Sequence, residues 1–222
     1  MTSDPTQDYN AWEYNVKWEK HGHQLLFELL NEPNDFKFPP GKFFLEMGSD
    51  RGEGSTKVLA ELANKLELTF ITVDMNPELC QNALKIVQAI NPKFSAECDR
   101  GEDFIANFFG DGDIAVLYLD AYDTMPVGAD LPSDIKEPYI KNMGKWSNEE
   151  AWNMHLKCSE IADKKLMPGG LICFDDMWRQ GGMYGHWAMR SKGFMAVPWL
   201  LSQEYEEIKY VDGCVVLRKP QV

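Results

Sequence analysis

The 222-residue sequence lacks the features that mark membrane, secreted and zinc-finger proteins. Its longest apolar run, residues 114–119, is far shorter than the ~20 residues that a membrane-spanning helix needs. Residues 1–10 contain two acidic side chains and no basic one, so the positive start of a secretory signal is missing. The five cysteines are scattered, without a Cys-x-x-Cys pair, which is typical of reduced thiols. We therefore expect a cytoplasmic protein that does not bind a membrane.

Basic residues are also scarce, which bears on the kind of partner. The sequence has 22 Lys and Arg against 35 Asp and Glu, giving a net charge of −13 and a pI near 4.7. Nucleic-acid-binding proteins usually carry a basic face, and a field of this sign repels a polyanion. Hydrophobic residues make up 44% of the chain, enough for a sizeable core. We expect a folded protein that binds a small molecule and no nucleic acid.

The chain divides into an N-terminal helical cover, residues 1–42, and one larger domain, residues 43–222. The cover contains Trp12 and Trp18 ahead of a leucine-rich patch, and prolines end it. Strands and helices then alternate, which predicts a parallel sheet covered on both faces. The expected strands are 43–46, 68–73, 93–98, 114–119 and 171–174, and the expected helices begin near 57 and span 77–90 and 102–109.

Residues 121–146 interrupt this alternation. They contain three prolines and no clear period, which predicts a long insertion that forms a lid or part of a substrate wall. Ser147 and Glu150 then form a capping-box pattern that opens a helix to about residue 166, and Pro168 ends it. The tail predicts a hairpin around Asp212 and Gly213.

The most informative segment is the glycine loop after the first strand. Glu46 ends the strand, and Gly48, Gly52 and Gly54 follow before a helix that begins near Ser55. Glycines let a ligand approach the backbone closely, and a helix start offers free N–H groups. The lysine of a phosphate-binding P-loop is missing, and the spacing differs from the dinucleotide fingerprint Gly-x-Gly-x-x-Gly. This acidic loop therefore favours a cationic, nucleoside-like ligand.

The loop resembles the first motif of the class I S-adenosylmethionine-dependent methyltransferases, acidic-x-Gly-x-x-x-Gly-x-Gly. The resemblance implies that the glycines pass under the methionine part of the cofactor, with Glu46 near its ammonium group. Asp74, which ends the second strand before Met75, corresponds to the family's ribose-binding acid. Gly101 and Glu102 occupy the place of the adenine-contacting loop. The expected cofactor-binding residues are Glu46, Gly48, Gly52, Gly54, Ser55, Asp74, Met75, Gly101, Glu102 and Asp120.

The same resemblance implies the fold. We expect an α/β, Rossmann-like, seven-stranded methyltransferase sheet that is mostly parallel, with a C-terminal antiparallel hairpin and helices on both faces. Analogy with the family adds a homodimer formed through the N-terminal helix.

Three aspartates, Asp120, Asp175 and Asp176, follow the fourth and fifth strands. Neighbouring strands lie ~4.8 Å apart, so carboxylates at two such ends can share one ion bound through oxygens. The pattern resembles the metal-dependent O-methyltransferases, in particular the branch that acts on sugars of macrolide and aminocoumarin antibiotics. We predict Mg²⁺, or Mn²⁺ or Ca²⁺, at these residues. Two alternatives to the metal site stay open. Asp175 and Asp176 point to opposite faces of the sheet unless the strand bends, so that only one of them reaches the ion. Both can also serve to cap a turn.

The resemblance implies metal-assisted O-methylation of a hydroxyl group on a sugar, diol or natural product. Asp120 or His155 takes the proton, although a partly exposed helical histidine is the alternative for His155. Aromatic residues in the last third predict either an acceptor wall or core packing. They are Trp146, Trp152, Trp178, Trp187, Trp199 and Tyr184.

Other acceptors leave signatures that are missing here. The chain lacks the Asn/Asp-Pro-Pro-aromatic motif of amino-group methylation after the fourth strand, and it contains no Pro-Cys for base-carbon methylation. Two alternatives remain beside the metal-assisted enzyme. One is a metal-free small-molecule N- or O-methyltransferase, and the other is a non-catalytic S-adenosylmethionine-binding protein.

Overall fold

The computed structural model describes residues 19–31, 36–49, 52, 54–126, 128–180 and 186–221. Trp12, Trp18 and the stretch 181–185 with Tyr184 lie outside the described residues. The helices are α1 (Gly22–Asn31), α2 (Ser55–Lys65), α3 (Pro77–Ile90), α4 (Gly101–Phe108), α5 (Ser133–Met143), α6 (Asn148–Lys165) and α7 (Ala196–Ser202). The strands are β1 (Phe43–Met47), β2 (Thr69–Asp74), β3 (Ser95–Cys98), β4 (Ile114–Leu119), β5 (Leu166–Met177), β6 (Arg179–Gln180), β7 (His186–Trp187), β8 (Glu206–Val211) and β9 (Gly213–Arg218). Among these helices, none is both long and apolar enough to cross a lipid bilayer.

Seven of the described strands form one sheet in the order β3-β2-β1-β4-β5-β9-β8. Strands β1 to β5 run parallel to one another, and β9 runs antiparallel to both β5 and β8. Strands β6 and β7 pair separately. The chain reverses its direction of travel across the sheet between β1 and β4, the point where doubly wound sheets bind ligands. The predicted seven-stranded, mostly parallel sheet with a C-terminal antiparallel hairpin and helices on both faces is confirmed.

Local sequence explains the best-defined elements. All six residues of β4 are apolar and buried, as expected for a strand covered on both faces. Asn76 caps α3, because its side chain accepts a hydrogen bond from Glu78 N at 3.0 Å, and Pro77 follows it. Ser147 caps α6 by accepting a hydrogen bond from Glu150 N at 3.2 Å, which confirms the predicted helix start.

The sheet separates two apolar layers. Leu117 and Leu119 belong to a cluster with residues of α4, α6 and α7, whereas Val116 and Tyr118 belong to a cluster with residues of α1, α2 and α3. Successive strand residues point to opposite faces, so the all-apolar sequence of β4 contributes to both layers. The site described below lies where these layers end, beyond the carboxyl ends of the strands.

Two segments differ from the sequence-based expectation. The insertion 121–146 contains a regular helix, α5, although no regular element is predicted there. Pro138 lies inside α5 and removes one backbone donor, which hides the helical pattern. Strand β5 begins at Leu166 rather than 171, so Gly169 and Gly170 are part of it. Lys219 N donates to Gly170 O at 2.9 Å, so pairing with the C-terminal segment extends the strand.

Candidate functional site

A cavity of about 890 Å³ opens beyond the carboxyl ends of β1, β2, β4 and β5. One part, the glycine-loop half, is lined by Gly48, Ser49, Gly54, Ser55, Asp74, Met75, Gly101 and Glu102. The other part, the acceptor half, is lined by His21, His23, Asp120, Asp123, Tyr139, Asp175, Asp176 and Lys192. The topology thus brings most of the predicted site residues to one cavity. Glu46 and Gly52 are not among the described lining residues, and Glu46 lies directly behind Ser55.

Gly48 sits where the ends of three strands meet. Its φ is +96°, and its N–H donates to Val73 O at 2.9 Å. A Cβ atom at this position would lie 2.7 Å from Ala121 N and 2.9 Å from Asp120 C. Asp120 N donates to Met47 O at 2.9 Å, so the glycine loop and the loop after β4 are fixed against each other. Only glycine fits this close approach.

Glu46 is fully buried behind the glycine loop. Its Oε1 accepts a hydrogen bond from Ser55 Oγ at 2.7 Å, and its Oε2 has no hydrogen-bond partner among the described residues. Burial raises the pKa of the Glu46 carboxyl to about 7. Ser49 Oγ, at the cavity wall, is likewise buried without a partner in the described chain. The Glu46 carboxylate can accept a hydrogen bond from an ammonium group, and the Ser49 hydroxyl can donate one to a carboxylate, so the pair fits the two charged ends of a methionine-like group.

The residues expected to hold the nucleoside lie next along the same wall. Asp74 ends β2, and its Oδ1 accepts a hydrogen bond from Asn76 N at 2.9 Å, which orients the carboxylate. Gly101 begins α4, and a Cβ there would lie 2.8 Å from Met47 Sδ. Glu102 is buried and pairs with Arg100 at 2.5 Å. These residues fit the ribose and adenine ends of S-adenosylmethionine.

Lys192 lies at the centre of the acceptor half and was not found by sequence reasoning. Its ammonium donates to Asp120 Oδ1 at 2.6 Å and to Asp120 O at 2.8 Å, and it pairs with Asp176 Oδ2 at 3.0 Å. Burial alone would lower the pKa of Lys192, but the charges of Asp120, Asp176 and Asp123 outweigh it and raise the pKa well above its usual value. Lys192 is therefore a fixed positive charge.

The predicted metal site at Asp120, Asp175 and Asp176 is not supported. Asp175 Oδ2 accepts a hydrogen bond from Tyr118 OH at 2.5 Å, and its Oδ1 accepts one from Gly22 N at 3.1 Å. These bonds occupy both oxygens of the Asp175 carboxylate, next to a bulge that bends β5 between Asp175 and Met177. Within the described residues, no three His, Cys, Asp or Glu side chains are grouped to hold a metal ion.

The structure also places His155 away from the cavity. The side chain lies in the core on α6, fully buried, and Nδ1 is 2.8 Å from Ala151 O. Burial lowers the pKa of His155 to about 3. It is not among the described residues that line the cavity. His155 is therefore not the partly exposed helical residue of the alternative, because α6 turns this position toward the sheet, and its role as proton acceptor stays a prediction.

Asp120 is the predicted proton acceptor that does line the cavity. Its side chain is 25% exposed. Desolvation raises the pKa of Asp120, the Lys192 ammonium opposes the rise, and Asp175 and Asp176 add to it, with a net shift above the usual value. A carboxylate with a raised pKa, next to the glycine loop, is a reasonable base for a hydroxyl group.

Residues of the insertion 121–146 line the acceptor half of the cavity. Tyr139 of α5 donates to Asp123 Oδ2 at 3.0 Å and accepts from Asp123 N at 2.9 Å. The aromatic side chains that line this wall are Tyr122 and Tyr139, whereas the predicted tryptophans are not among the described lining residues. Trp178 is buried, and Trp152 packs against Phe194. Trp178 therefore follows the core-packing alternative, and Trp146, Trp187 and Trp199 are partly buried against the same core.

His21 and His23 are further cavity residues that sequence reasoning missed. They flank the start of α1, their rings stack with centroids 5.6 Å apart, and His21 Nδ1 lies 3.9 Å from Asp175 Oδ2. Nothing in the local sequence signals this, because the contact joins positions more than 150 residues apart. Lys192 could not be found either, since its two partners follow different strands.

Comparisons with known proteins agree on the fold. No family model matches the sequence, and no curated protein matches it. A candidate rRNA methylase from Clostridium thermocellum superposes with a TM-score of 0.51 at 12% identity, covering 89% of this chain and 94% of that chain. The cyclase SpnF gives a TM-score of 0.54 at 11% identity, covering 92% and 87%. The chain has the class I methyltransferase fold.

An S-adenosylmethionine-dependent O-methyltransferase from Thermotoga maritima is similar to the same extent. Its TM-score is 0.51 at 9% identity, and the match covers 89% of this chain and 64% of that chain. The chain spans about half the length of several further neighbours. At these identities the likeness shows the fold alone. The three proteins are named as a methylase, an O-methyltransferase and a cyclase, which are different activities. The function of this chain therefore has to be argued from its site.

Proposed function

We propose that this protein is an S-adenosylmethionine-dependent methyltransferase that acts on a hydroxyl group of a small molecule. One observation carries the proposal: Gly48 and Gly54 of the glycine loop and Asp74 of β2 line a single cavity, beside two buried polar atoms, Glu46 Oε2 and Ser49 Oγ, that have no partner in the described chain. Buried polar atoms are rarely left without partners, so a ligand with donor groups is the natural complement.

Each part of the wall has a role in binding. Glu46 and Ser49 bind the charged methionine end, and Gly48, Gly52, Gly54 and Ser55 form the backbone path beneath it. Asp74 accepts hydrogen bonds from the ribose hydroxyls next to Met75, and Gly101 and Glu102 border the adenine. When bound, the cofactor supplies a sulfonium methyl group that a nucleophile can attack.

Asp120 is the residue that we assign to the reacting end. It lies between the two halves of the cavity, close to Gly48, and can accept the proton of the attacking hydroxyl. Tyr139 and Asp123 bound the space for the acceptor and orient it by hydrogen bonds. Metal assistance is not part of the proposal, because the three predicted ligands do not converge.

A small-molecule acceptor is favoured by charge. The chain carries a net charge of −13, and aspartates line the acceptor half, which disfavours a polyanion. The fold itself does not exclude nucleic acid, since one structural neighbour is a candidate rRNA methylase.

Calorimetric titration with S-adenosylhomocysteine tests the cofactor assignment. We expect micromolar binding to the wild type and at least about tenfold weaker binding to Asp74→Ala, because the ribose hydroxyls lose a charged acceptor. Asp111→Ala is the matched control. Asp111 is exposed in the turn before β4, at the amino end of that strand and opposite the end where the cavity lies. A wild-type protein that gives no heat of binding would overturn the proposal.

The same protein is then assayed for methyl loss from the cofactor with a panel of sugars, diols, catechols, amines and a short RNA. Turnover with a hydroxyl compound supports the proposal, and turnover with an amine or RNA corrects the acceptor class. Tight binding without turnover on the whole panel favours the alternative of a non-catalytic S-adenosylmethionine-binding protein.

A further inference from the structure

The acceptor half contains a cation that belongs to the chain itself. Lys192 is 2% exposed, and its ammonium contacts three oxygens: Asp120 O at 2.8 Å, Asp120 Oδ1 at 2.6 Å and Asp176 Oδ2 at 3.0 Å. An ammonium group has three N–H donors, so these acceptors match its full hydrogen-bonding capacity. Two of the three carboxylates that the sequence assigns to a divalent ion therefore already share a positive charge.

The backbone that carries this lysine is fixed against the end of β5. Lys192 N donates to Asp176 O at 3.1 Å. Ser191 Oγ accepts from Trp178 N at 2.9 Å and donates to Trp178 O at 3.1 Å. At Gly193, an added Cβ would lie 2.9 Å from Phe174 Cδ1, so the chain is packed tightly there. The ammonium is therefore held in place from both sides of Lys192 and does not belong to a loose surface side chain.

We propose that Lys192 is a built-in cation that replaces a divalent metal ion between Asp120 and Asp176 and positions Asp120 without a metal. The charge replacement stands on the geometry alone, whereas its catalytic consequence, metal-independent transfer, rests on the proposed function. Lys192 is a positioning residue in this proposal, because it acts through the carboxylate that it holds.

Geometry explains why lysine and a divalent ion exclude each other here. Oxygen ligands of Mg²⁺ and Ca²⁺ lie about 2.0–2.6 Å from the ion, so an ion shared by the two carboxylates needs the space that the ammonium fills. A metal at the same point would also meet a positive charge at close range. Both carboxylate oxygens of Asp175 already accept hydrogen bonds, one from Tyr118 and one from Gly22, which disfavours Asp175 as a third ligand.

Titration with Mn²⁺, followed by the electron paramagnetic resonance signal of the free ion, tests the replacement in the absence of any cofactor. We expect no saturable site in the wild type up to about 1 mM Mn²⁺. Lys192→Ala removes the ammonium that Asp120 and Asp176 share, so it should gain one Mn²⁺ site that binds about tenfold tighter or more than any site of the wild type. The double variant Lys192→Ala with Asp176→Asn should lose this site again.

Thermal stability gives a second readout. Mn²⁺ and the small cation methylammonium should raise the Tm of Lys192→Ala, because a ligand that binds only the folded state stabilises it. Neither should raise the Tm of the wild type or of Lys93→Ala, in which an exposed lysine before β3 is removed. If Lys192 only stabilised the fold, Mn²⁺ and methylammonium would not raise the Tm of Lys192→Ala.

Two results overturn the proposal. The first is a wild-type protein that binds one Mn²⁺ tightly and loses it in Asp176→Asn, because the ion then coexists with the lysine. The second is a folded Lys192→Ala variant that gains no Mn²⁺ site. If that variant does not fold, Lys192→Ser, which is neutral and leaves the space of the ammonium open, enters the same titration under the same criteria. A failed S-adenosylhomocysteine titration, by contrast, would overturn only the proposed function.

Discussion

A methyl group on Gly48 would lie 2.7 Å from the backbone nitrogen of Ala121, closer than real Cβ contacts come. This close approach joins the end of β1 to the segment after β4, so the cofactor wall and the acceptor wall meet at one glycine. The left-handed φ of +96° adds a second constraint on the same residue. The shape of the cavity thus depends on position 48, where only glycine fits.

Replacement of Gly48 by alanine should therefore be costly. We expect Gly48→Ala to lower the free energy of unfolding by about 3 kcal/mol, from the left-handed φ together with the clash. Gly41→Ala is the matched control, because Gly41 has a φ of +80° but open space around it in the described structure. Urea unfolding of the two variants separates strain from clash, and equal losses would contradict the close approach.

Cofactor binding should depend on pH through Glu46. The pKa of its carboxyl is raised to about 7, so below pH 7 the free protein holds a proton that must leave before the carboxylate can pair with the ligand's ammonium group. Affinity for S-adenosylhomocysteine should rise about tenfold per pH unit toward pH 7, and fall above about pH 8 as the ligand's amino group loses its proton. Calorimetry across this range measures it. The acidic limb should vanish in Glu46→Gln, and its persistence there would assign the proton elsewhere.

His155 should affect acid stability rather than catalysis. Its folded pKa of about 3 lies below the ordinary histidine value, so the unfolded chain binds the proton more readily. The stability that the neutral imidazole contributes is present above pH 6.5 and lost as the pH falls toward 3, by about 3 kcal/mol at pH 4. His155→Gln should flatten this part of the Tm profile and leave S-adenosylhomocysteine affinity unchanged. Weaker cofactor binding by this variant would show that His155 contributes to the site.

The insertion helix should serve the acceptor half only. Tyr139→Phe removes the hydroxyl that bonds both Asp123 N and Asp123 Oδ2, and should cost about 1–2 kcal/mol of stability. Because Tyr139 lies outside the glycine-loop half, S-adenosylhomocysteine affinity should not change, whereas the KM of an acceptor should rise. An equal loss of cofactor affinity would mean that the two halves are not separate.

Sequence patterns predict the fold where local signals are complete. The helix Pro77–Ile90 and the strand Ile114–Leu119 have the predicted bounds, because a cap with proline and an uninterrupted apolar run mark them. The helix around Pro138 escapes prediction, since its proline and polar positions obscure the period. Tertiary packing, not local propensity, stabilises such a helix.

The candidate site is predictable only in its glycine-loop half. Residues such as Gly48 and Asp74 follow one another in a fixed spacing that the sequence displays. The acceptor half depends on contacts between distant positions. Asp175 is held by Tyr118 and Gly22, and Lys192 pairs with a carboxylate 72 residues away. Three aspartates at strand ends therefore suggested a metal site, since the lysine and the tyrosine that divide them carry no local signal.

The hydrogen bond from Gly22 to Asp175 also bears on how short the chain can be made. It connects the first described helix to the end of β5 across 153 positions, and a Cβ at Gly22 would lie 2.8 Å from Tyr118. A truncated form that starts after α1 would strip a buried carboxylate of a donor and remove His21 from the cavity wall. The smallest fragment able to keep the site intact therefore has to begin upstream of His21. Protease cleavage in α1 should inactivate the protein as surely as cleavage in the sheet.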